Sequence, residues 1–107
     1  MKKYKIIVSE TAEQDLENII LYLKNDLSGD IIADKYKILF KQNLKLLEDI
    51  AESMPVLDEE LTGHKDIRKF NVKNYIIFYK IDKQNNITYV VRIGHSFMDW
   101  EKYLKDV

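Results

Sequence analysis

Hydrophobic residues recur at helical spacing in two long segments of this chain, residues 9–26 and about residues 30–51. Spacing of three to four residues places the apolar side chains of each segment on one face of a helix. The sequence "LSGD" at residues 27–30 predicts a short turn between the helices, and Ser9 and Thr11 are both candidate N-caps for the first. The two stripes consist of Ala12, Leu16, Ile19, Ile20 and Leu23 and of Ile32, Tyr36, Leu39, Phe40, Leu47 and Ile50.

Shorter apolar segments predict four strands, one at residues 4–8 and three in succession across residues 67–95. A two-residue turn at Lys73 and Asn74 predicts a hairpin that pairs Val72 with Tyr75. A last short helix is expected in "SFMDWEKYLKDV", residues 96–107. The predicted order is β-α-α-β-β-β-α, an α+β fold in which an antiparallel helix hairpin packs on one face of a small, mainly antiparallel sheet. Residues 1–107 are expected to form a single domain.

The alternation of side chains assigns each strand residue to one of the two sheet faces. Pairing Ile81 with Ile87 brings the most apolar rows together, so that face is expected to pack on the helices. The second face carries apolar and basic residues together, and we expect it to be open and to bind a partner through Lys69, Phe78, Lys80, Val90 and Arg92. The alternative is that the last helix covers it with Phe97, Trp100 and Leu104. The whole second face comprises Ile67, Lys69, Asn71, Ile76, Phe78, Lys80, Thr88, Val90 and Arg92.

Charge and composition narrow the classes of function. The net charge of −1 does not predict a nucleic-acid partner, but residues 61–83 contain six basic and two acidic residues, a local charge of +4. This is either a basic footprint or a set of lysines that solvate an exposed face. The chain has no cysteine, which excludes disulfides and thiolate metal sites. With no apolar segment near the roughly 20 residues of a membrane span, we expect a cytoplasmic protein without a membrane partner.

Few residues are candidates for catalysis. His64 and His95 are expected about 20 Å apart, at opposite ends of a hairpin, so no shared metal site or proton relay is predicted. We predict no metal and no small-molecule cofactor. Metal-independent RNA cleavage needs a base, a cation for the phosphate charge and an acid. The candidate catalytic residues are Arg92, His95, Arg68, Lys69 and Tyr103, of which Arg92 and His95 form the tightest cluster.

Three segments, taken in order, resemble the RelE/ParE toxin family over nearly the full length. The head "SETAEQDLENIILYL" resembles the family's S-x-x-A-x-x-D-L-x-x-I-x-x-Y pattern, and "IRKFNVKNYIIFYKID" its R-x-x-x-V-x-x-Y-x-I-x-Y core. The segment "VVRIGHSFMDWEKYL" resembles its final V-x-R-I-x-H-x-x-x-D-W pattern. The residues that match are Ser9, Ala12, Asp15, Leu16, Ile19, Tyr22, Arg68, Val72, Tyr75, Ile77, Tyr79, Arg92, Ile93, His95, Asp99 and Trp100.

The resemblance implies the toxin of a type II toxin–antitoxin pair, which arrests bacterial growth, is linked to plasmid stabilization and is neutralised by a cognate antitoxin protein. One branch of the family cleaves messenger RNA on the ribosome, and the ParE branch inhibits DNA gyrase. The cleaving branch has an arginine where this chain has Ile76 and often a basic residue near Ser96. These departures favour the gyrase inhibitor over the RNase, which stays the alternative. A small, non-toxic interaction domain is a third interpretation.

Overall fold

The structure is a computed structural model that describes residues 3–27 and 29–105; the side chains of residues 26, 27, 61, 62, 103 and 105 also lie outside the described part. Its order of elements confirms the predicted α+β fold, with one addition, the short helix α3 in the predicted loop. The elements are β1 (Lys5–Val8), α1 (Glu10–Tyr22), a π-helical turn (Leu23–Leu27), α2 (Asp30–Ile50), a 3-10 turn (Ala51–Ser53), α3 (Glu59–Thr62), β2 (Arg68–Val72), β3 (Tyr75–Asp82), β4 (Ile87–His95) and α4 (Trp100–Lys105).

The four strands form one sheet in the order β1-β4-β3-β2. The pairs β2–β3 and β3–β4 are antiparallel, whereas β1 runs parallel to β4. A parallel pair requires a crossover connection, and here α1, α2 and the hairpin of β2 and β3 lie between the two strands in sequence. The sheet therefore brings the first and the last strand of the chain side by side.

Local sequence signals account for the start of each long helix. Ser9 is the N-cap of α1, because its hydroxyl accepts a hydrogen bond from the backbone N–H of Ala12 at 3.0 Å. Gly29 precedes α2 with a φ of 79°, a backbone conformation that a glycine adopts without steric cost. The apolar stripes predicted for both helices lie in hydrophobic clusters, which confirms the helix hairpin and its orientation toward the sheet.

The predicted register of the β2–β3 hairpin is confirmed. Val72 pairs with Tyr75 and Phe70 with Ile77 across the two-residue turn. Lys73 in the turn has a φ of 53°, which non-glycine residues seldom adopt.

The fourth strand, β4, contains a bulge that the sequence pattern did not reveal. Phe78 pairs with Arg92 and Tyr79 with Val90, so Val91 is an extra residue in β4. A bulge of this kind changes which side chains point to which face on the two sides of the extra residue. The face assignment that a strict alternation predicts is therefore wrong for the first half of β4.

The predicted pairing of Ile81 with Ile87 was accordingly wrong by one residue. Ile81 pairs with Thr88, and both Thr88 and Val90 are fully buried on the side of the sheet that faces the helices. Tyr89, expected on that side, is 39% exposed.

Two separate cores result, one on each face of the sheet. The larger lies between the sheet and the helix hairpin, and its buried members include Tyr4, Ala12, Phe40, Leu47, Ala51, Val72, Tyr75, Ile77, Tyr79, Val90 and Ile93. The smaller lies under α4 and its buried members are Ile67, Ile76, Phe78 and Leu104. We call these two surfaces the hairpin face and the α4 face.

Candidate functional site

The α4 face is covered, so the prediction of an open second face was wrong. Ile67, Ile76 and Phe78 are each at most 4% exposed, and they pack against Leu104, which has no exposed surface. The rings of Phe78 and Trp100 lie 5.9 Å apart between their centroids. The alternative, cover by the last helix, is correct for Trp100 and Leu104.

The residues predicted to contact a partner are divided by this arrangement. Phe78 is 1% exposed and Val90 has no exposed surface, and they belong to opposite cores. Their placement on an open surface was wrong, because α4 covers the first and the bulge turns the second toward the helices. Lys69, Lys80 and Arg92 are half-buried, so their basic side chains are the predicted contact residues that still reach solvent.

Arg92 forms the strongest polar contact of the site. Its Nε and one terminal nitrogen donate to the two carboxylate oxygens of Asp15 at 2.8 and 2.9 Å, in a bidentate pair. The side chains of Arg92 and Asp15 are only 15% and 10% exposed. Asp15 also accepts a hydrogen bond from the backbone N–H of Ile93 at 3.0 Å. Arg92 thus joins β4 to α1 instead of standing alone on an open face.

The same contacts close the edge of β4 where its neighbour β1 ends. Beyond Val8, the last residue of β1, the backbone of β4 has no parallel partner strand. Ser9 donates its hydroxyl hydrogen to the carbonyl of Val91 at 3.2 Å, and the carboxylate of Asp15 accepts a hydrogen bond from the N–H of Ile93. Ser9 and Asp15 therefore supply the hydrogen bonds that a longer β1 would make with the backbone of β4. This role accounts for a serine and an aspartate six positions apart in the sequence.

Arg68 supports the end of α2. One of its terminal nitrogens donates to the backbone carbonyls of Glu52 and Met54 at 2.9 and 2.6 Å. Tyr79 donates its hydroxyl hydrogen to the carbonyl of Ala51 at 2.7 Å. The carbonyls at the end of a helix have no partner within the helix, and a cation there is favourable. The structure thus gives Arg68 a supporting contact at the far end of the hairpin face.

Lys69 lies on the α4 face, with its ammonium nitrogen 5.9 Å from the centroid of the Trp100 ring. This distance fits a cation–π contact. The backbone of Tyr103 belongs to α4, and its side chain lies outside the described residues. The structure therefore does not bring Lys69 to the hairpin face, where His95 lies.

The two histidines occupy different parts of the molecule. His64 places its Nε2 atom 3.0 Å from the carbonyl of Leu104 in α4. His95 pairs with Tyr75 at the end of β4, beside the hairpin turn as predicted. Its Nδ1 accepts a hydrogen bond from the backbone N–H of Phe97 at 3.2 Å, so the neutral ring carries its proton on Nε2. The His95 side chain is exposed.

A cleft of about 520 Å³ lies in front of His95, between α1, α2 and the ends of β3 and β4. Its volume is in the range of ligand and side-chain binding pockets. Among the described residues the lining is mainly apolar and aromatic, with a few polar groups and no lysine or arginine. Its residues are Asp15, Asn18, Ile19, Tyr22, Leu23, Tyr36, Asn74, Tyr75, Ile93, Gly94, His95 and Met98.

A series of ring contacts connects this cleft to the core. The Tyr75 ring lies 5.8 Å from Tyr36, 5.6 Å from Phe40 and 5.3 Å from His95, measured between centroids. The His95 ring in turn lies 5.1 Å from Phe97, which is 86% exposed. Burial raises the pKa of the Tyr75 hydroxyl, so this side chain, which lines the cleft, is uncharged at neutral pH. Tyr75 lines this cleft and Phe97 stacks beside His95, although neither was among the predicted catalytic residues.

The sequence analysis did not predict the pairing of Asp15 with Arg92, although both residues belong to the motifs that resemble the toxin family. A carboxylate on the sheet-facing side of a helix and an arginine within a strand are each unusual in a core, and together they signal an ion pair. For Phe97 the pattern was misleading, because the residue was expected to help cover the α4 face.

Two further properties hold for the residues that the structure describes. They contain no group of three or more histidine, cysteine or acidic side chains placed to hold a metal ion. None of the described helices is long and apolar enough to cross a membrane.

The helix hairpin packs on one face of a four-stranded mixed sheet, and Asp15 of the first helix holds Arg92 of the last strand. The sequence profile described as "ParE toxin of type II toxin-antitoxin system, parDE" matches residues 6–100. The chain therefore belongs to the ParE toxin family. No curated protein sequence matches it significantly.

Solved structures of toxin–antitoxin complexes have the same fold. The chromosomal ParDE system of P. aeruginosa matches with a TM-score of 0.69 and 15% identity, covering 89% of this chain and 98% of the other. The archaeal RelE–RelB complex of Pyrococcus horikoshii has a TM-score of 0.57 and 14% identity, with 91% and 98% covered. The RelBE2 complex of Mycobacterium tuberculosis has a TM-score of 0.56 and 17% identity, with 87% and 98% covered. At these identities the likeness establishes the fold alone.

Proposed function

We propose that this toxin arrests bacterial growth by binding DNA gyrase, and that a cognate antitoxin protein neutralises it. One observation carries the choice of target. The guanidinium of Arg92, the best candidate for stabilising a cleaved phosphate, is held by both carboxylate oxygens of Asp15, and the Arg92 side chain is 15% exposed. A cation neutralised in this way is a poor phosphate ligand, because the carboxylate would repel the substrate.

The positions of the other basic candidates support the same choice. Arg68 is engaged with backbone carbonyls at the end of α2, and Lys69 lies against Trp100 on the α4 face. His95 is therefore without a nearby cluster of cations in the cleft that it lines. Catalysis of RNA cleavage needs such groups together around one phosphate. Inhibition by binding needs only a surface of suitable shape and chemistry.

A ribosome-dependent RNase is the second candidate, and the exposure of His95 favours it. Its ring lies at the cleft with the Nε2 proton directed away from its bond to Phe97. A histidine exposed at a cleft is within reach of a bound substrate, as a general acid or base must be. The choice between the two targets therefore depends on whether His95 is a catalytic residue or a support for the aromatic surface.

The antitoxin is proposed from family membership and from the charge of the surface. The similar structures of P. aeruginosa and M. tuberculosis are described as a ParDE TA system and as the toxin–antitoxin complex RelBE2. Lys69 and Lys80 are half-exposed in a segment whose local charge is +4, and we propose that acidic antitoxin residues contact them. Reversal of either charge to glutamate should then weaken the complex. Unchanged affinity in both variants would contradict this contact.

Expression of the chain alone tests whether it is a toxin. We expect growth arrest, and recovery when the product of the adjacent small gene is co-expressed. Normal growth with abundant, folded protein in the cells would contradict the toxin assignment and support a non-toxic interaction domain.

Two assays on purified components distinguish the targets. The wild-type protein should inhibit supercoiling by DNA gyrase. The His95→Ala variant should still inhibit it, although less strongly. Primer extension on a message translated by purified ribosomes should show no new 5′ ends. If instead cuts are present and disappear in His95→Ala, the RNase is correct, since loss of a general acid or base costs about 10²–10⁴ in rate. Lys83→Ala, a change in the β3–β4 turn, is the matched control and should be neutral in both assays.

A further inference from the structure

Phe97 is an apolar ring that protrudes from the surface of the protein. Its side chain is 86% exposed and lies in the turn between β4 and α4. Single exposed apolar residues are common in soluble proteins and by themselves indicate nothing. The surroundings of Phe97 set it apart, because both the backbone that carries the ring and the ring itself are held in place.

The backbone at Phe97 is hydrogen-bonded at three successive amides. Ser96 donates its N–H to the carbonyl of Asn74 at 2.7 Å, which ties the turn to the β2–β3 hairpin. Phe97 donates its N–H to Nδ1 of His95 at 3.2 Å, and Met98 donates its N–H to the carbonyl of His95 at 3.1 Å. The turn is therefore an ordered part of the structure, although it lies at the surface.

The ring of Phe97 rests on a stack that begins in the core. Its centroid lies 5.1 Å from that of His95, with an angle of 34° between the two planes. The His95 ring packs edge-on against Tyr75 at 5.3 Å, and Tyr75 is 6% exposed and belongs to the larger core. A side chain that is held in its bound position beforehand loses little conformational entropy when a partner binds it.

The shape of this feature selects the kind of partner. A protruding ring needs a preformed hollow in the other molecule. Extended and helical segments bind in the opposite way, because they lie in grooves of the folded protein that receives them. A folded enzyme with an apolar pocket therefore fits Phe97 better than a segment of an antitoxin does. Aromatic side chains buried in such pockets carry a large share of the binding energy of many interfaces.

We propose that Phe97 is the anchor with which this toxin binds DNA gyrase, its ring entering an apolar pocket of that enzyme. The inference rests on the proposed function and adds to it the residue that contacts the target. His95 is a positioning residue in this interface, because it supports the Phe97 ring from below and accepts the N–H of the same residue.

Inhibition of supercoiling by purified variants of the full chain tests the anchor. We expect half-inhibition by Phe97→Ala to need about 30-fold more protein than the wild type, the effect of truncating an aromatic anchor. Phe97→Leu keeps apolar volume without the ring and should lose less. Ile31→Ala is the matched control and should inhibit like the wild type, since Ile31 is 82% exposed and does not line the cleft of His95. Inhibition by Phe97→Ala at wild-type strength would overturn the proposal.

Two further measurements show that the loss is specific. Thermal denaturation should be nearly the same for Phe97→Ala and the wild type, because the ring is mostly exposed. The co-purified antitoxin should also bind both proteins with equal affinity. If the antitoxin instead binds Phe97→Ala more weakly while gyrase inhibition is unchanged, the ring is an antitoxin contact and the proposal is wrong.

A double variant tests whether His95 acts through Phe97. His95→Ala should weaken gyrase inhibition in the wild-type background and should have no further effect in the Phe97→Ala background, because residues that act as one unit are not additive. Losses that add in the double variant would mean that His95 contacts gyrase independently, which would overturn its positioning role.

Failure of the anchor and failure of the proposed function have different signatures. If the wild type does not inhibit gyrase, the proposed function fails and the anchor fails with it. If the wild type inhibits gyrase and Phe97→Ala does so equally, only the anchor is wrong. If the wild type cuts a message on purified ribosomes and Phe97→Ala cuts it more slowly, the ring stacks on an RNA base, which overturns gyrase as its partner.

Discussion

Each face of the sheet carries a buried core, but the two cores are built very differently. On the hairpin face, α1 with 13 residues and α2 with 21 residues supply long apolar stripes. On the α4 face, a helix of six residues covers the buried residues Ile67, Ile76 and Phe78 with Leu104 and Trp100. The comparison teaches that basic residues in a strand do not make its face open. Lys69 keeps its charge near solvent over the Trp100 ring while the residues beside it are buried.

The largest expected effect on stability comes from breaking the ion pair between Asp15 and Arg92. Asp15→Ala leaves the mostly buried Arg92 and the N–H of Ile93 without their carboxylate, so we expect a loss of about 3–5 kcal/mol in unfolding free energy. Urea denaturation followed by circular dichroism measures it. Glu17→Ala, an exposed change on the same helix, should cost little.

The same reason applies to Arg92, since its truncation would leave the mostly buried carboxylate of Asp15 without its cation. A double variant with leucine at position 15 and methionine at position 92 separates charge from packing. It should recover much of the lost stability, because burying no charge is often as favourable as burying a pair. If the double variant is as unstable as Asp15→Ala, the uncompensated charge is not the cause.

A matched pair of leucines compares the two cores directly. Leu47 and Leu104 both have no exposed surface, one on the hairpin face and one in α4. We expect Leu47→Ala to cost about 3–5 kcal/mol, and Leu104→Ala about 2 kcal/mol, because a short terminal helix relaxes around the lost volume more easily. In Leu104→Ala, hydrogen exchange should also rise at Ile76 and Phe78. Equal losses in the two variants would show that α4 is as integral to the fold as α2.

Alkaline pH should weaken the hairpin face. Burial raises the pKa of Tyr79 to about 12, and the pKa values of Tyr4 and Tyr75 are also raised, by the contact of Tyr4 with Glu52 and by burial respectively. Since the unfolded tyrosine titrates near pH 10, stability is intact below that pH and falls as pH rises toward 12. Tyr79 alone accounts for about 2–3 kcal/mol. Denaturation of Tyr79→Phe between pH 8 and 11 should show a smaller decline; an identical decline would contradict the assignment to Tyr79.

One buried hydroxyl on the hairpin face lacks a hydrogen-bond partner among the described residues. It belongs to Thr88, which is fully buried beside Ile81. Thr88→Val has nearly the same shape and removes the unsatisfied group, so we expect a gain of about 1 kcal/mol in thermal or urea denaturation. A loss of stability would mean that the hydroxyl has a partner, such as a bound water.

The smallest expected effect concerns the α4 face. Lys69→Met keeps the apolar stem and removes the charge over Trp100, and we expect a loss of about 0.5 kcal/mol. Lys65→Met, at an exposed position in the preceding loop, is the control. Because Trp100 is the single tryptophan, its fluorescence reports the same contact and should change in the first variant only.

Much of the fold followed from local patterns. Helical spacing, the turn at "LSGD" and the two-residue turn after Val72 are set within a few residues, and the structure confirms the helix hairpin and the first strand pairing. The bulge at Val91 did not follow, because an alternating apolar sequence reads the same with or without one extra residue. The register of β4 depends on packing against both neighbouring strands and both cores.

The sequence by itself determined the elements, their order and the family, since these depend on periodicity and on motif residues at set spacings. Only the tertiary structure decided what the motif residues contact. It paired Arg92 with Asp15, 77 positions away, and placed His95 in an aromatic cleft and Phe78 under α4. Such contacts depend on how whole elements pack in space, and no local pattern records that arrangement.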